Sequence, residues 1–257
     1  MTSFLERDWP AEHVARVRLN RPDVRNAINR AVLTEFHDHL DALADEDVRA
    51  LLITGVEDSF SVGADLKAVR TLDPAAARTF SRRGHELFAR IEDFPCPVIA
   101  AVNGYALGGG CELACACDLR YASSSARLGQ PETSVGMIPG WGGTFRLPEI
   151  VGRAAAKELV FTGEPVDARA AREMGLVHAV FDAPTFEDDV LEKTRRVAAK
   201  APIATREAKR LLNRSPDHRR TYMNEESLAL ARCVSTRDQS EAIAAFLEKR
   251  EPIFENE

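Results

Sequence analysis

The chain has 257 residues, 45% of them hydrophobic and 29% charged, the composition of one large soluble domain or of a domain with a helical appendage. Its formal net charge of −6 gives no general attraction to nucleic acid or to an anionic membrane, and no apolar run approaches the roughly 18 residues needed to span a bilayer. Residues 1–10 carry Glu6, Arg7 and Asp8 and have neither an apolar signal core nor an Arg/Ser-rich, acid-poor transit pattern, so a cytoplasmic location is expected.

Strand and helix signals alternate through the first two-thirds. Val14 to Leu19 alternates apolar with charged residues and predicts a half-buried strand. Asn20-Arg21-Pro22-Asp23 predicts a turn, and from Ile28 the apolar positions Val32, Phe36, Leu40 and Leu43 predict an amphipathic helix. Ala50 to Thr54 is a short buried strand by pattern, and Gly55 to Ala64 reads as a loop. Asp73-Pro74 has the form of an N-cap followed by proline at the first helical position, opening a helix with Phe80, Leu87, Phe88 and Ile91 on one face. Pro97 to Val102 predicts a central strand covered on both sides. Cys111 to Ala116 reads as a helix and Leu119 to Ala122 as a strand. Asp167 is placed to cap a short helix that Gly175 can stop.

Beyond about residue 186, helical patterns replace strand patterns: Val190 to Ala199, Ile203 to Leu212, and a long stretch from about 221 to 249, punctuated by Pro202 and Pro216. The predicted organisation is an α/β core over 1–185 followed by a helical region over 186–257 that must pack on the core or on another subunit.

No metal is expected. Cys111, Cys115 and Cys117, three of the 5 cysteines, have a spacing foreign to the common zinc patterns, and the 6 histidines form no ligand set.

The chemistry concentrates in residues 97–147. A buried strand runs into Gly108-Gly109-Gly110, and this cluster opens a helix. The first N–H groups of a helix have no intrahelical partner, and they carry the positive end of its dipole. Glycine lets a ligand approach them closely. The residues alone leave three readings open: a phosphate cradle, an oxyanion hole, or a structural turn. The order Gly104-x-x-x-Gly108-Gly109-Gly110 lacks the G-x-G-x-x-G and G-K-[ST] forms of nucleotide sites. Glu112, in the first turn of the helix, could act chemically or simply complement the dipole. Glu132, in Gln130-Pro131-Glu132, could act chemically or be an exposed loop charge.

Taken together, the motifs resemble the crotonase family, most closely its enoyl-CoA hydratases. The pattern A-x-N-G-x-A-x-G-G-G-x-E-L is met by Ala101 to Leu113, and G-x-P-E followed by I-P-G-x-G-G-T-x-R-L by Gly129 to Glu132 and Ile138 to Leu147. The loop F-x-x-G-A-D matches Phe60, Gly63, Ala64 and Asp65; N-R-P-x-x-x-N-A matches Asn20 to Pro22 with Asn26-Ala27; the ending F-x-E-K-R matches Phe246 to Arg250.

The resemblance implies an α/β spiral of ββα units with a C-terminal helical region that builds homotrimers, usually paired into hexamers. It implies Glu112 and Glu132 as the acid–base pair and an oxyanion hole from the N–H groups of Ala64 and Gly109. Val24, Ala27, Val62, Ala64, Asp65, Leu66 and Lys67 would line the coenzyme A path, and Gly108 and Gly140 would lie near the acyl group; Trp141, where many hydratases have a small residue, would either restrict the acyl pocket or pack on the surface of the loop. The substrate would be an acyl-CoA thioester, with no cofactor beyond the coenzyme A it carries, no nucleic acid and no membrane. Related isomerases, synthases and dehalogenases place an aspartate in or near the loop at Ile138 to Gly143. This chain has Gly140-Trp141-Gly142-Gly143 there, which favours reversible hydration of a 2-enoyl-CoA over Δ3–Δ2 isomerisation or another acyl-CoA lyase reaction. The intact glutamate pair and acidic balance argue against a non-catalytic RNA- or partner-binding role.

Overall fold

A computed structural model describes residues 3–213, 236–248, 250 and 252–257. Strands β1 (Leu5–Ala11) and β2 (Val14–Leu19) form an antiparallel hairpin. A 3-10 turn (Pro22–Val24) leads to α1 (Arg30–Ala44), capped by the Asn29 side chain, which accepts from the N–H groups of Ala31 and Val32. Then come β3 (Ala50–Gly55), β4 (Ser59–Ser61), α2 (Leu66–Val69) and α3 (Pro74–Glu92). These are followed by β5 (Val98–Val102), β6 (Tyr105–Leu107), α4 (Gly109–Ala116), β7 (Leu119–Ser123) and β8 (Arg127–Gly129). A second 3-10 turn (Pro131–Val135) precedes α5 (Gly143–Thr162), β9 (Val166–Asp167), α6 (Ala168–Glu173) and β10 (Ala179–Phe181). The helices α7 (Phe186–Ala198), α8 (Pro202–Leu212) and α9 (Arg237–Glu248) complete the described chain.

The strands make two sheets. Six run in the order β1-β2-β3-β5-β7-β10, parallel from β2 onward; four run in the order β4-β6-β8-β9. Successive turns of chain place one strand in each sheet: β3 then β4, β5 then β6, β7 then β8. This is the predicted spiral, and it has a consequence for the site: β6 and β8 become parallel neighbours, with Leu107 opposite Gly129.

Alternation sorts side chains to the two faces of the large sheet. Ala15, Val17, Leu19, Leu51 and Ile53 join Phe36, Leu40, Phe60, Leu87 and Phe88 in the main core. Val14, Ala50, Leu52, Ile99 and Ala101 face the other way and meet Phe186 and Val190 of α7. The helical region drawn from residue 186 therefore begins with a helix that covers the large sheet. A buried ion pair secures the next one: Lys209 on α8 lies 2.7 Å from Asp118 and donates to the carbonyls of Ile91 and Cys96.

Several elements go beyond those read from sequence. The loop expected over Gly55 to Ala64 contains β4, and β6, β8, β9 and β10 have at most three residues each, too few to carry a period. Helix α5 contains Pro148 and Gly152, the latter with non-helical φ 77° and ψ 158°, so its periodicity is broken. The helix expected over 221–249 lies mostly outside the described residues, as does part of the Phe246 to Arg250 motif; α9 is its described portion.

Candidate active site

The register of β6 against β8 brings the two glutamates together. Just past Leu107 the chain turns at Gly108 into α4, all eight residues of which are buried, and Glu112 lies within it at 1% exposure. Just past Gly129 it passes buried Gln130 into the 3-10 turn that carries Glu132, 9% exposed. Glu132 is thus a buried carboxylate rather than an exposed loop charge.

Both carboxyls line one cavity of about 280 Å³ with Val62, Ala64, Leu66, Gly108, Gly109, Gly140 and Trp141. Their surroundings differ. Oε1 of Glu112 accepts from the N–H of Trp141 at 2.8 Å and of Gly143 at 2.6 Å. Burial raises its pKa above the ordinary carboxylate value, opposed by those two N–H groups and by the positive charge of Arg146. Glu132 has no such pair of backbone donors from the facing loop. The Gln130 amide lies against both its oxygens and, with its nitrogen turned toward them, donates at 2.9 and 3.1 Å. Burial, with the neighbouring charge of Glu112, pushes Glu132 up to about 7.

The proposed N–H donors also adjoin. Gly63 packs so tightly on the start of α4 that a Cβ there would lie 2.6 Å from the Gly109 nitrogen. Residue 64 bridges Ile28 through the Gly63 carbonyl and the Asp65 N–H, so the Ala64 N–H faces the other side of the chain. Ala64, Gly109 at the start of a helix, and two carboxyls thus line one largely apolar cavity. Such a set can stabilise a developing oxyanion and move protons beside it.

A sequence-family model described as enoyl-CoA hydratase/isomerase matches residues 10–257. The chain belongs to this family. It is 41% identical to a short-chain-enoyl-CoA hydratase from Clostridium acetobutylicum over 92% of both chains, and 42% identical to a crotonyl-CoA hydratase from Syntrophomonas wolfei over 95% of both. Its fold superposes on the crystal structure of an enoyl-CoA hydratase from Bacillus anthracis with a TM-score of 0.96 at 37% identity, covering 99% of this chain and 100% of that one.

Of the residues that the enoyl-CoA hydratase/isomerase pattern singles out, Val62, Ala64, Leu66, Gly108, Gly109, Glu112, Glu132, Gly140 and Trp141 line the cavity. Val24, Ala27, Asp65 and Lys67 stand outside that lining. They are knitted beside it: Val62 N–H donates to Arg25 O at 3.1 Å, and Arg21 bonds the Ala27 carbonyl and pairs with Asp65 at 3.2 Å. Asp65 also caps α2 through the Lys67 N–H.

Trp141 turns inward. Its indole is 3% exposed and sits edge-on to Phe80 and Phe88, with ring centroids 5.2 and 5.7 Å away. Room for it is made on α3 by Gly84, where a Cβ would overlap the indole. Phe80 and Ser81 of α3 also line the cavity, as do Ser134, Val135, Met137 and Ile138. Sequence pattern reads Phe80 only as core. The one hint of a special role for α3 is a glycine in the middle of a helix, where it costs about 1 kcal/mol relative to alanine.

Proposed function

We propose that Glu112 and Glu132 act as a coupled base and acid in an enoyl-CoA hydratase that prefers short acyl chains. The hydratase activity stands on family membership and on relatives more than 40% identical over nearly the whole chain. The observation that carries the roles is the asymmetry of the two carboxyls.

Glu112, bonded by two N–H groups near a cation, is the better carboxylate, and it takes a proton from water as the oxygen adds to C3 of the 2-enoyl thioester. Glu132, at about 7, is partly protonated near neutrality and delivers its proton to C2. The proton gained by Glu112 then restores Glu132, so the net change is addition of one water. The thioester oxygen gains charge during addition, and the N–H of Ala64 before α2 and that of Gly109 at the head of α4 stabilise it. One such donor is worth about 10² to 10³ in rate.

The short-chain preference rests on Trp141, whose buried indole occupies the cavity wall. An acyl chain of about four to six carbons fits this argument, since crowding in a packed pocket costs about 1 to 3 kcal/mol. The test follows the conjugated thioester absorbance of 2-enoyl-CoA substrates of increasing length. Falling absorbance with the highest kcat/KM on crotonyl-CoA supports the reading. Unchanged absorbance would make the chain a binder, and kcat/KM rising with chain length would place Trp141 outside acyl selection.

The same reading includes assembly into a homotrimer or a homohexamer. Phe145, Phe161 and Leu212 are large apolar side chains with more than half their surface exposed, the kind of surface that closed oligomers cover. Light scattering at micromolar concentration should give a trimer or hexamer mass; a monomer would contradict this. Among the described residues no helix is long and apolar enough to cross a membrane.

A further inference from the structure

We infer that Arg146 is a positioning residue for the hydration: it clamps the loop at residues 140–143 so that the loop's N–H groups meet Glu112. The inference rests on the reading of Glu112 as the base.

Arg146 lies one turn into α5, at 7% exposure, and does not line the acyl cavity. Its Nε and Nη2 bond the Glu92 carboxylate at the end of α3, at 2.7 and 2.5 Å. Its Nη1 donates to the Trp141 carbonyl at 2.9 Å. The peptide run 141–143 is therefore gripped from two sides. Its carbonyl at Trp141 points to Arg146, while its N–H groups at Trp141 and Gly143 point to Glu112.

Gly142 makes this possible. Its φ is +109°, in the region that favours glycine, and a Cβ there would overlap Nη1 of Arg146. A further anchor holds the start of the loop, where Ser81 Oγ donates to the Gly140 carbonyl at 2.7 Å. Removing the guanidinium would free the Trp141 carbonyl to turn and carry the adjacent donors away from Glu112.

A purely stabilising role explains this arrangement poorly. An ion pair between buried Arg146 and half-buried Glu92 contributes little net stability, because desolvation and solvent screening offset the attraction. What the planar fork supplies is orientation: Nε and Nη2 fix its plane on the Glu92 carboxylate while Nη1 is held toward the Trp141 carbonyl, a fixed geometry that the rotatable ammonium of a lysine does not impose.

The charges facing Glu112 bear on the readout. They are Glu132 from the 3-10 turn and Arg146 from α5, with Cys111 and Cys115 on its own helix and Glu92 and His85 on α3 behind Arg146. Of these, Arg146 is the cation that favours the ionised form of Glu112.

The test compares R146M, R146K and E92Q with E112Q in the full-length chain, using crotonyl-CoA. R146M should lose about 100-fold in kcat and R146K about 10-fold, within the range general acid–base groups command, with KM changed less than about threefold. The acid limb of kcat/KM should move to higher pH in R146M, because the base loses its cation. E92Q keeps that cation, so it should lose kcat without an upward shift of the limb. A folded R146M or R146K with kcat within twofold of wild type and an unmoved acid limb would overturn the proposal, as would lost thermal stability alone. Should R146M fail to fold, R146K and E92Q decide by the same kcat criterion. E112Q separates the two levels: if it stays active, the base assignment has failed; if it is inactive while the Arg146 variants work normally, only the positioning role has failed.

Discussion

Helix α4 and the turn after β8 each deliver one glutamate to the same cavity, and they surround it differently. On α4 the carboxyl meets two backbone N–H groups and lies near a buried guanidinium. On the turn it meets a side-chain amide and apolar walls. Burial raises both carboxyls, and in the proposed roles the two N–H groups and the guanidinium keep Glu112 the better proton acceptor while Glu132 gives its proton. Assignment of acid and base comes from environments that separate two titrating groups, more than from either residue type.

The largest effect should come from removing either carboxyl. Glu112→Gln and Glu132→Gln should each lose at least about 100-fold in kcat for crotonyl-CoA while coenzyme A-ester affinity changes only a few-fold. The double variant should be scarcely worse than the singles, because the pair acts as one unit. Steady-state kinetics with a binding assay checks this, and more than a tenth of wild-type activity in either variant would break the pairing.

The next effect probes what both glutamates serve, the developing oxyanion. Gly109 begins α4, where proline fits a helix, so Gly109→Pro removes one N–H without breaking the element. Any added Cβ would overlap Trp141, so the variant belongs in a Trp141→Ala background. Relative to that background, kcat should fall about 10² to 10³-fold, with KM little changed. A folded double variant with undiminished kcat would make Gly109 a turn residue only.

These tests bear on positions that differ in how openly the sequence displays them. The stripe Val32, Phe36, Leu40 and Leu43 and the caps at Asp73 and Asp167 act locally, and each element forms where its pattern places it. Strands β3 and β5 are long enough to show as apolar runs. The pairing that joins Glu112 to Glu132 depends instead on β6 and β8, three residues each, whose partners are set by the spiral and not by their own composition. Local physics therefore left Glu132 indistinguishable from a solvated loop charge, and only the match of several motifs in order singled it out. Ser81 bonds Gly140 and Arg146 bonds Glu92, partners distant in sequence, so no spacing marks them; Gln130 stands two residues from Glu132, but its burial against that carboxyl follows from the spiral. The division at residue 186 follows a change of composition, yet α7 packs on the large sheet, because a sheet face with Val14, Leu52 and Ile99 must be covered by some apolar surface.

A smaller effect concerns stability. Glu132 has a folded-state pKa raised from 4.5 to about 7. The folded state thus holds its proton more tightly than the unfolded state, so its contribution is full below the unfolded value and is lost as pH rises through about 7. Glu132→Gln should consequently gain thermal stability over wild type at pH 8 and show only a minor part of that gain at pH 5. Glu112→Gln should gain less at pH 8, since its two N–H donors lose a charged acceptor. Melting curves of both variants at the two pH values make the comparison, and equal gains would erase the asymmetry.

The separation of the two carboxyls can be observed without turnover. Infrared difference spectra between acidic and basic pH, recorded for wild type and for Glu132→Gln, report protonated carboxyls in the carbonyl-stretch region. A carboxylic-acid band present at pH 6, fading with a midpoint near 7 and missing from Glu132→Gln would place the mobile proton on Glu132, where burial sets its pKa to about 7. A wild-type band that is already absent at pH 6, or one that persists with the same midpoint in Glu132→Gln, would contradict the assignment of Glu132 as the acid.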